Sequence, residues 1–339
     1  MGVFQSYRLR LQRKRWRIRA IRKRGELKRV ADRTSQIRPD DLLLFCTQRN
    51  EGVRLPYFLD YYREMGVGHF FFVDNDSTDG SAEYLAEQPD VSVWSTRAGY
   101  KRARFGMDWL NYLLMKYAHG HWALTVDPDE FLVYPFCDTR PLRALTDWLD
   151  ASSIKSFSAM LLDMYPKGRL DEQPYHAGQN PMEIASWFDS GNYTISRNHK
   201  FTNLWIQGGP RARMFFQDDP DRAPTLNKIP LVRWSRHFTY VSSMHTMLPR
   251  HLNQTYDLRG EVKATGVLLH TKFLDEIIDK SAEERQRKEH FGDPDRFATY
   301  YDALIEGPVL WTENSAPYKG WRELVASGLM QAADWPDQG

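Results

Sequence analysis

Two apolar runs in the first half of this chain end in carboxylates: Phe70-Phe71-Phe72-Val73 runs into Asp74-Asn75-Asp76, and Trp122-Ala123-Leu124-Thr125-Val126 runs into Asp127-Pro128-Asp129-Glu130. Asp-x-Asp after an apolar strand brings two carboxylates within reach of one hard cation. Mg²⁺ or Mn²⁺ takes one or two such groups and completes its shell with phosphate oxygens and water. A diphosphate held this way has its charge neutralised as it departs, which is Lewis-acid assistance to a leaving nucleotide. Asp127 and Asp129 also have an ordinary alternative as turn residues beside Pro128. Asp74 and Asn75, at a strand tip, offer the groups that hydrogen-bond the imide edge of a uracil or the hydroxyls of a ribose. Ser77 to Ser81 supply caps and turns for a strand-to-helix junction.

Such groups need a frame, and the pattern from Asp40 onward predicts one. Residues 42–46 read as a short apolar strand followed by the turn-like Gln48-Arg49-Asn50-Glu51-Gly52. Leu55, Phe58, Leu59 and Tyr62 recur at helical spacing, and 70–73 form the next strand. A helix around 82–86, the alternating strand 91–94, a helix marked by Ala103, Met107, Leu110, Leu114 and Tyr117, and the strand 122–126 complete the series. Strands alternating with helices imply right-handed crossovers and a mostly parallel sheet, an α/β class whose ligand crevice lies at the C-terminal strand ends. Beyond Pro141 the pattern weakens. Residues 157–162, 193–196 and 266–270 read as strands among long loops suited to one wall of a cleft. Residues 275–290 read as a solvated helix anchored by Ile277 and Ile278, and the end of the chain, with Trp311, Trp321 and Trp335, is expected to pack back on the body.

The 339 residues, 42% hydrophobic and 14% aromatic, exclude a disordered chain. The net charge of +2 conceals an asymmetry. Residues 1–30 hold twelve Lys and Arg against the single acid Glu26, leaving 34 basic and 43 acidic residues for the remainder. The sequence therefore divides into a basic arm, 1–39, and an acidic body. As a helix the arm would put Phe4, Tyr7, Leu11 and Ile18 near one face, with Leu9 and Trp16 opposite and Lys14 and Arg22 interrupting the stripe. With two cysteines, Cys46 inside a strand-like run, a secreted disulfide framework is not expected and a reducing, cytoplasmic setting fits. No run reaches the length of a membrane span and no signal peptide is visible, so the chain reads as soluble or peripheral.

Asn50-Glu51 after the first strand, Val73-Asp74-Asn75-Asp76-Ser77-Thr78-Asp79-Gly80-Ser81 after the second, Lys101-Arg102-Ala103-Arg104 opening a helix, and Asp127-Pro128-Asp129-Glu130-Phe131 after the fourth together resemble glycosyltransferase family 2. The similarity is to the branch with an Asp-x-Asp-Glu-Phe motif and covers residues 40–135 well, the rest loosely. It implies a GT-A fold over 40–274, with a nucleotide-sugar half (40–135), an acceptor half (136–274) and a helical extension (275–339). It also implies a UDP-linked sugar donor. Asp74, Asn75, Thr47, Asn50 and Glu51 would then surround the nucleoside, Arg104 with Lys101 or Arg102 would approach the diphosphate, and Asp127 and Asp129 would hold Mn²⁺ or Mg²⁺. Asn75 departs from a second Asp common in the family. A late His or Asp commonly returns to the metal in GT-A enzymes, and His270, ending the run 266–269, is the candidate here; a structural role at a strand end is the alternative.

An inverting transferase needs a general base for the acceptor hydroxyl. Asp189, Glu183, Asp218 and His245 remain open candidates, and Arg211 and Lys228 sit in loop-like stretches as candidates for the phosphates or for ordinary salt bridges. The resemblance implies a transferase acting on a saccharide or lipid-linked saccharide in cell-surface polysaccharide or glycolipid synthesis. The alternatives are a sugar-phosphate nucleotidyltransferase, which would want a Gly-rich basic loop where Gln48 to Gly52 stand, and a silent GT-A domain that binds membranes or nucleic acid. Near an anionic leaflet each Lys or Arg contributes about 1 kcal/mol, so half of the twelve would hold the protein at the inner face of a plasma membrane. A phosphate backbone would attract similarly. The membrane is favoured over nucleic acid because lipid-linked acceptors are common for this enzyme type.

Overall fold

The computed structural model describes residues 3–256, 262–287 and 298–335. Its centre is a nine-stranded sheet: β1 (Lys28–Ala31), β2 (Leu42–Gln48), β3 (Val67–Asp74), β4 (Val91–Ser95), β5 (Trp122–Thr125), β6 (Glu130–Val133), β7 (Ser156–Asp163), β8 (Asn227–Arg233) and β9 (Gly266–His270). The strand order is β1-β4-β3-β2-β5-β8-β7-β9-β6. Pairs β4-β3, β3-β2, β2-β5 and β7-β9 are parallel; β1, β8 and β6 run against the other six. This is a mixed α/β fold with a large, mostly parallel central sheet flanked by helices, as the alternation of apolar runs predicts.

Every residue of β2 is buried, which is why it reads as a continuous apolar run. Its side chains still divide by period two. Leu42, Leu44 and Cys46 join one core with Phe70, Phe72 and helix α2 (Leu55–Glu64), while Leu43 and Phe45 join the other with Phe71, Trp94 and helix α4 (Met107–Tyr117). Phe45 and Phe71 stack at 4.4 Å between ring centroids. Helix α1 (Val3–Lys23) lies against α4, and α3 (Ser81–Glu87) and α5 (Leu142–Ala151) complete the helices of the first half. Helix α6 (Gly209–Phe215) falls where a loop was expected. Helices α7 (Glu276–Arg287) and α8 (Ala298–Ile305) cover a third, smaller core containing Tyr165, Phe273 and Ile277. Helix α9 (Trp321–Ala326) returns Trp321 and Leu324 to the main core, which Trp335 also joins.

The basic segment packs on the body: α1 buries Leu9 and Ala20, Arg19 donates to Asp108 at 2.7 Å, and Glu26, just after the helix, accepts from the Trp109 indole at 2.9 Å. Two expectations need correction. The stretch holding Lys228, expected as a loop, is the start of β8 in the middle of the sheet. The register between β8 and β7 shifts between Lys228 and Leu231, and such an irregularity lets a strand carry a proline that has no N–H to give. Lastly, α4 begins at Met107, because Arg104, Phe105 and Gly106 all take positive φ (53°, 56° and 75°) and form a left-handed turn ahead of it. A Cβ on Gly106 would stand 2.9 Å from Thr47 Oγ1, so both the turn and the close approach call for glycine. Cys46 and Cys137 are both free. Among the described residues no helix is long and apolar enough to cross a membrane.

Candidate active site

The sheet delivers its chemistry to one edge. The C-terminal ends of β2, β3, β5, β7 and β9 point the same way, and β6 and β8, running against them, begin there with Glu130 and Asn227-Lys228. An open cleft of about 230 Å³ lies along this edge, lined among others by Thr47, Asn50, Glu51, Asn75, Asp127, Asp129, His270 and Lys272. Helix α7 forms its far wall with Lys280, Ser281 and Glu283.

Register explains the charged centre. His270 pairs across the ladder with Glu130 of β6 on one side and Asp163 of β7 on the other. Its Nδ1 lies 2.6 Å from Asp163 Oδ1 and its Nε2 3.2 Å from Asp129 Oδ2. With Nδ1 donating to Asp163, the tautomer leaves Nε2 facing Asp129. Asp163 in turn accepts from Arg211 Nε at 2.7 Å. The result is a buried chain, Asp129–His270–Asp163–Arg211. Beside it Lys228 is bonded to Asp127 at 2.9 Å and to Glu130. Burial opposes the Asp129 carboxylate, yet His270, Arg54 and Lys272 outweigh it and hold the group well below the usual carboxylate range. Burial likewise opposes charge on His270, and Asp129 and Asp163 raise it nonetheless. Glu130 is pushed up to about 8 by burial, with Asp127 and Asp129 adding to the shift and Lys228 opposing it. Lys272 is brought down to about 8 by burial and by Arg211.

Ligand atoms of Asp129, Glu130 and His270 lie within 4.8 Å of one another. Two carboxylates and an imidazole with its other nitrogen held by Asp163 form a donor set that fits a divalent cation such as Mn²⁺. The expected set was Asp127, Asp129 and His270. All three line the cleft, but the ligand atoms that come within reach of one another are those of Asp129, Glu130 and His270, and Lys228 pairs with both Asp127 and Glu130.

Around the first two strand tips the same residue types hold loops in place. Gln48 and Asp74 are register partners; Asp74 accepts from Gln48 Nε2 and from the Ser77 N–H, and it does not line the cleft. Asn75 lines the cleft with its Nδ2 donating to the Thr96 and Ala98 carbonyls at 3.0 Å each. Asn50, at φ 51°, accepts from the Thr78 N–H, and Asp79 accepts from the N–H groups of Gly52 and Ser81. Thr47 Oγ1 and Ser281 Oγ, on opposite walls, are buried with no hydrogen-bond partner among the described residues. Three ion pairs close α7 onto the loop after β2: Lys280–Glu51 at 2.6 Å, Arg54–Glu276 at 2.8 Å and Arg49–Glu283 at 3.2 Å.

Several candidates stand elsewhere. Arg104, expected at the diphosphate, is turned away by the left-handed turn: it bonds Asp108 at 2.8 Å and the Val241 carbonyl at 3.0 Å, and lies over the Trp16 ring at 4.1 Å. Lys101 occupies a 3₁₀ turn outside the cleft. None of the four base candidates lines the cleft. Asp189 is bound by Arg213 and Tyr165, Glu183 and Asp218 are exposed, and His245 gives Nδ1 to the Asn227 carbonyl at 2.6 Å. Burial and Lys228 lower His245 to about 4. Lys228 and Arg211, both left open between phosphate and salt bridge, are the buried countercharges described above. Asp163 and Lys272 were missed. Asp163 ends an apolar run as Asp127 does, and Lys272 lies two residues past a strand-end His; both signals are in the sequence.

No family model matches this chain, and no curated protein matches it. Solved structures to which this chain is similar include three. One is described as a glucose-1-phosphate thymidylyltransferase from Bacillus anthracis, in complex with a sucrose (9% identity, TM-score 0.25, covering 41% of this chain and 64% of that one). A second is mannosyl-3-phosphoglycerate synthase from Rubrobacter xylanophilus (18% identity, TM-score 0.24, 42% and 49%). The third is a 4-diphosphocytidyl-2C-methyl-D-erythritol synthase (11% identity, TM-score 0.25, 86% and 98%). The chain thus spans less than two thirds of the first two. At these values the likenesses assign no activity, which rests on the site itself.

Proposed function

We propose that the protein is a glycosyltransferase of the GT-A type that transfers a sugar from a nucleoside diphosphate donor, UDP-linked by the motif resemblance, to a saccharide or lipid-linked saccharide. The observation that carries this reading is the meeting of Asp129 and His270, 3.2 Å apart though 141 positions separate them, in the cleft that also receives the tips of β2 and β3. Asp129, His270 and either Glu130 or Asp127 would hold Mn²⁺ or Mg²⁺. When bound, the cation supplies charge neutralisation for the departing diphosphate. Lys272 contributes a second positive charge facing the same space, with the Tyr300 ring 5.8 Å away. Asp163 orients His270, and Arg211 balances Asp163. The unpartnered Thr47 hydroxyl and Asn75 line the nucleoside side.

Calorimetric titration of UDP and GDP, with and without Mn²⁺, tests the donor site. Metal-dependent UDP binding that disappears in Asp127→Ala/Asp129→Ala, followed by turnover of a UDP-sugar, is the expected result. A folded wild-type protein that binds neither nucleotide in the presence of metal would remove the donor assignment.

A further inference from the structure

The docking of α1 leaves one of its faces without a partner. The helix turns Leu9, Trp16 and Ala20 toward the body and presents Phe4, Tyr7, Leu11 and Ile18 to solvent at 86%, 59%, 48% and 39% exposure, with Ile21 beside them. At 100° per residue the four outward residues fall within a 60° sector, on the side opposite Leu9, Trp16 and Ala20. Basic residues border and interrupt that stripe: Arg8, Arg10, Lys14 and Arg15 lie beside it and Arg22 within it, all exposed, and no acidic residue lies between Val3 and Lys23. On the other side of the helix, a groove of about 420 Å³ lined by Leu9 gathers Arg13, Arg250 and His251. Burial, then Arg17 and Arg10, hold Arg13 below its ordinary value, as crowded cations do.

The structure assigns α1 as a membrane-docking element: we propose that it lies flat on an anionic bilayer, with Phe4, Leu11 and Ile18 entering the headgroup boundary and the flanking cations meeting lipid phosphates. Charge complementarity selects this occupant. Lysine and arginine bordering a narrow aromatic and aliphatic stripe, without acids, is the composition of helices that rest in the interface plane. A protein partner would be met by paired charges, and a nucleic acid would have no use for the stripe. Because the opposite face of α1 is fixed by Arg19–Asp108 and Glu26–Trp109, the helix would hold the whole sheet in one orientation to the surface. The inference is independent of the chemistry in the cleft.

Co-sedimentation of the full chain with phosphatidylcholine vesicles, with or without phosphatidylglycerol, tests it. Wild type should partition onto the anionic vesicles about tenfold or more above the neutral ones. Leu11→Ser/Ile18→Ser, both exposed, should lose about tenfold of that binding through lost apolar insertion while keeping the wild-type unfolding midpoint. Lys14→Glu/Arg15→Glu should abolish the preference for anionic lipid. Equal partition of wild type onto both vesicles, or none, overturns the proposal. So does anionic binding that Leu11→Ser/Ile18→Ser retains in full, and single-stranded RNA bound as tightly as lipid would then identify a plain polyanion surface.

Discussion

At the tips of β2 and β3 four polar side chains brace the backbone. Asp74 holds Ser77, Asn50 holds Thr78, Asp79 holds Gly52 and Ser81, and Asn75 holds two carbonyls. At the tips of β5, β7 and β9 polar side chains are committed to one another, in the chain Asp129–His270–Asp163–Arg211 and the cluster Asp127–Lys228–Glu130. The same residue types thus serve two purposes on one sheet edge. A carboxylate that receives backbone N–H groups fixes a loop's shape and has little to offer a ligand. A carboxylate paired with another mobile charge can exchange that partner for a cation, and the pair's residual charge changes with occupancy. Loop shape is fixed on one side of the cleft, and paired charge is concentrated on the other.

Substitutions that remove one member from each side would break this contrast. The largest effect is expected at Asp163, because Asp163→Ala leaves Arg211 buried without its carboxylate. Breaking a buried pair in this way costs about 3–5 kcal/mol, read from the denaturant midpoint. Asp163→Ala/Arg211→Met should recover much of that loss, since it is the orphaned charge and not the missing bond that dominates. A double variant no more stable than the single would show that the chain is held by packing.

On the bracing side the effect should be smaller and pH-dependent in a definite direction. Burial works against the Asp79 carboxylate, but bonds from Ser81 and Gly52 outweigh it and hold it below its ordinary 3.8. A depressed carboxylate adds stability above the unfolded value and loses it as pH falls through the folded one. Asp79→Asn should therefore cost about 1 kcal/mol at neutral pH. The gap to wild type should close in thermal unfolding below pH 3.8. A gap that persists in acid would mean that the amide's geometry, and not the charge, is at fault.

Lys280→Ala should have the least effect on stability, within about 1 kcal/mol by unfolding midpoint, because its pairs with Glu51 and Glu276 are partly open to water. A loss of several kcal/mol would place α7 among the elements that hold the sheet edge together.

The asymmetry also explains what the sequence made legible. β2, β3, β4 and β5 are almost wholly buried, so their apolar runs announce them, and those of β3 and β5 announce the carboxylates at their tips as well. The chain Asp129–His270–Asp163–Arg211 depends on register between strands distant in sequence, and no local pattern says that His270 lies opposite both Glu130 and Asp163. Lys228 lies in a strand that carries Pro230, and the register with β7 shifts between Lys228 and Leu231, so no regular apolar pattern marks it. Arg104 was misplaced because helical spacing through Ala103 and Met107 conceals three consecutive left-handed residues that turn its side chain toward Asp108.

Strand β1 bears on how this protein behaves in concentrated solution. It pairs antiparallel with β4, is four residues long, and carries Lys28 and Arg29 with both side chains exposed. Without it β4 would offer a row of unpaired N–H and C=O groups to any passing strand, the template from which chains aggregate edge to edge. A chain shortened to begin at Asp40 would lose this guard together with α1, laying bare Trp109 and the buried Asp108 as well. Self-association of such a fragment would then report on a stripped sheet edge, and its failure to bind a bilayer would say nothing about α1.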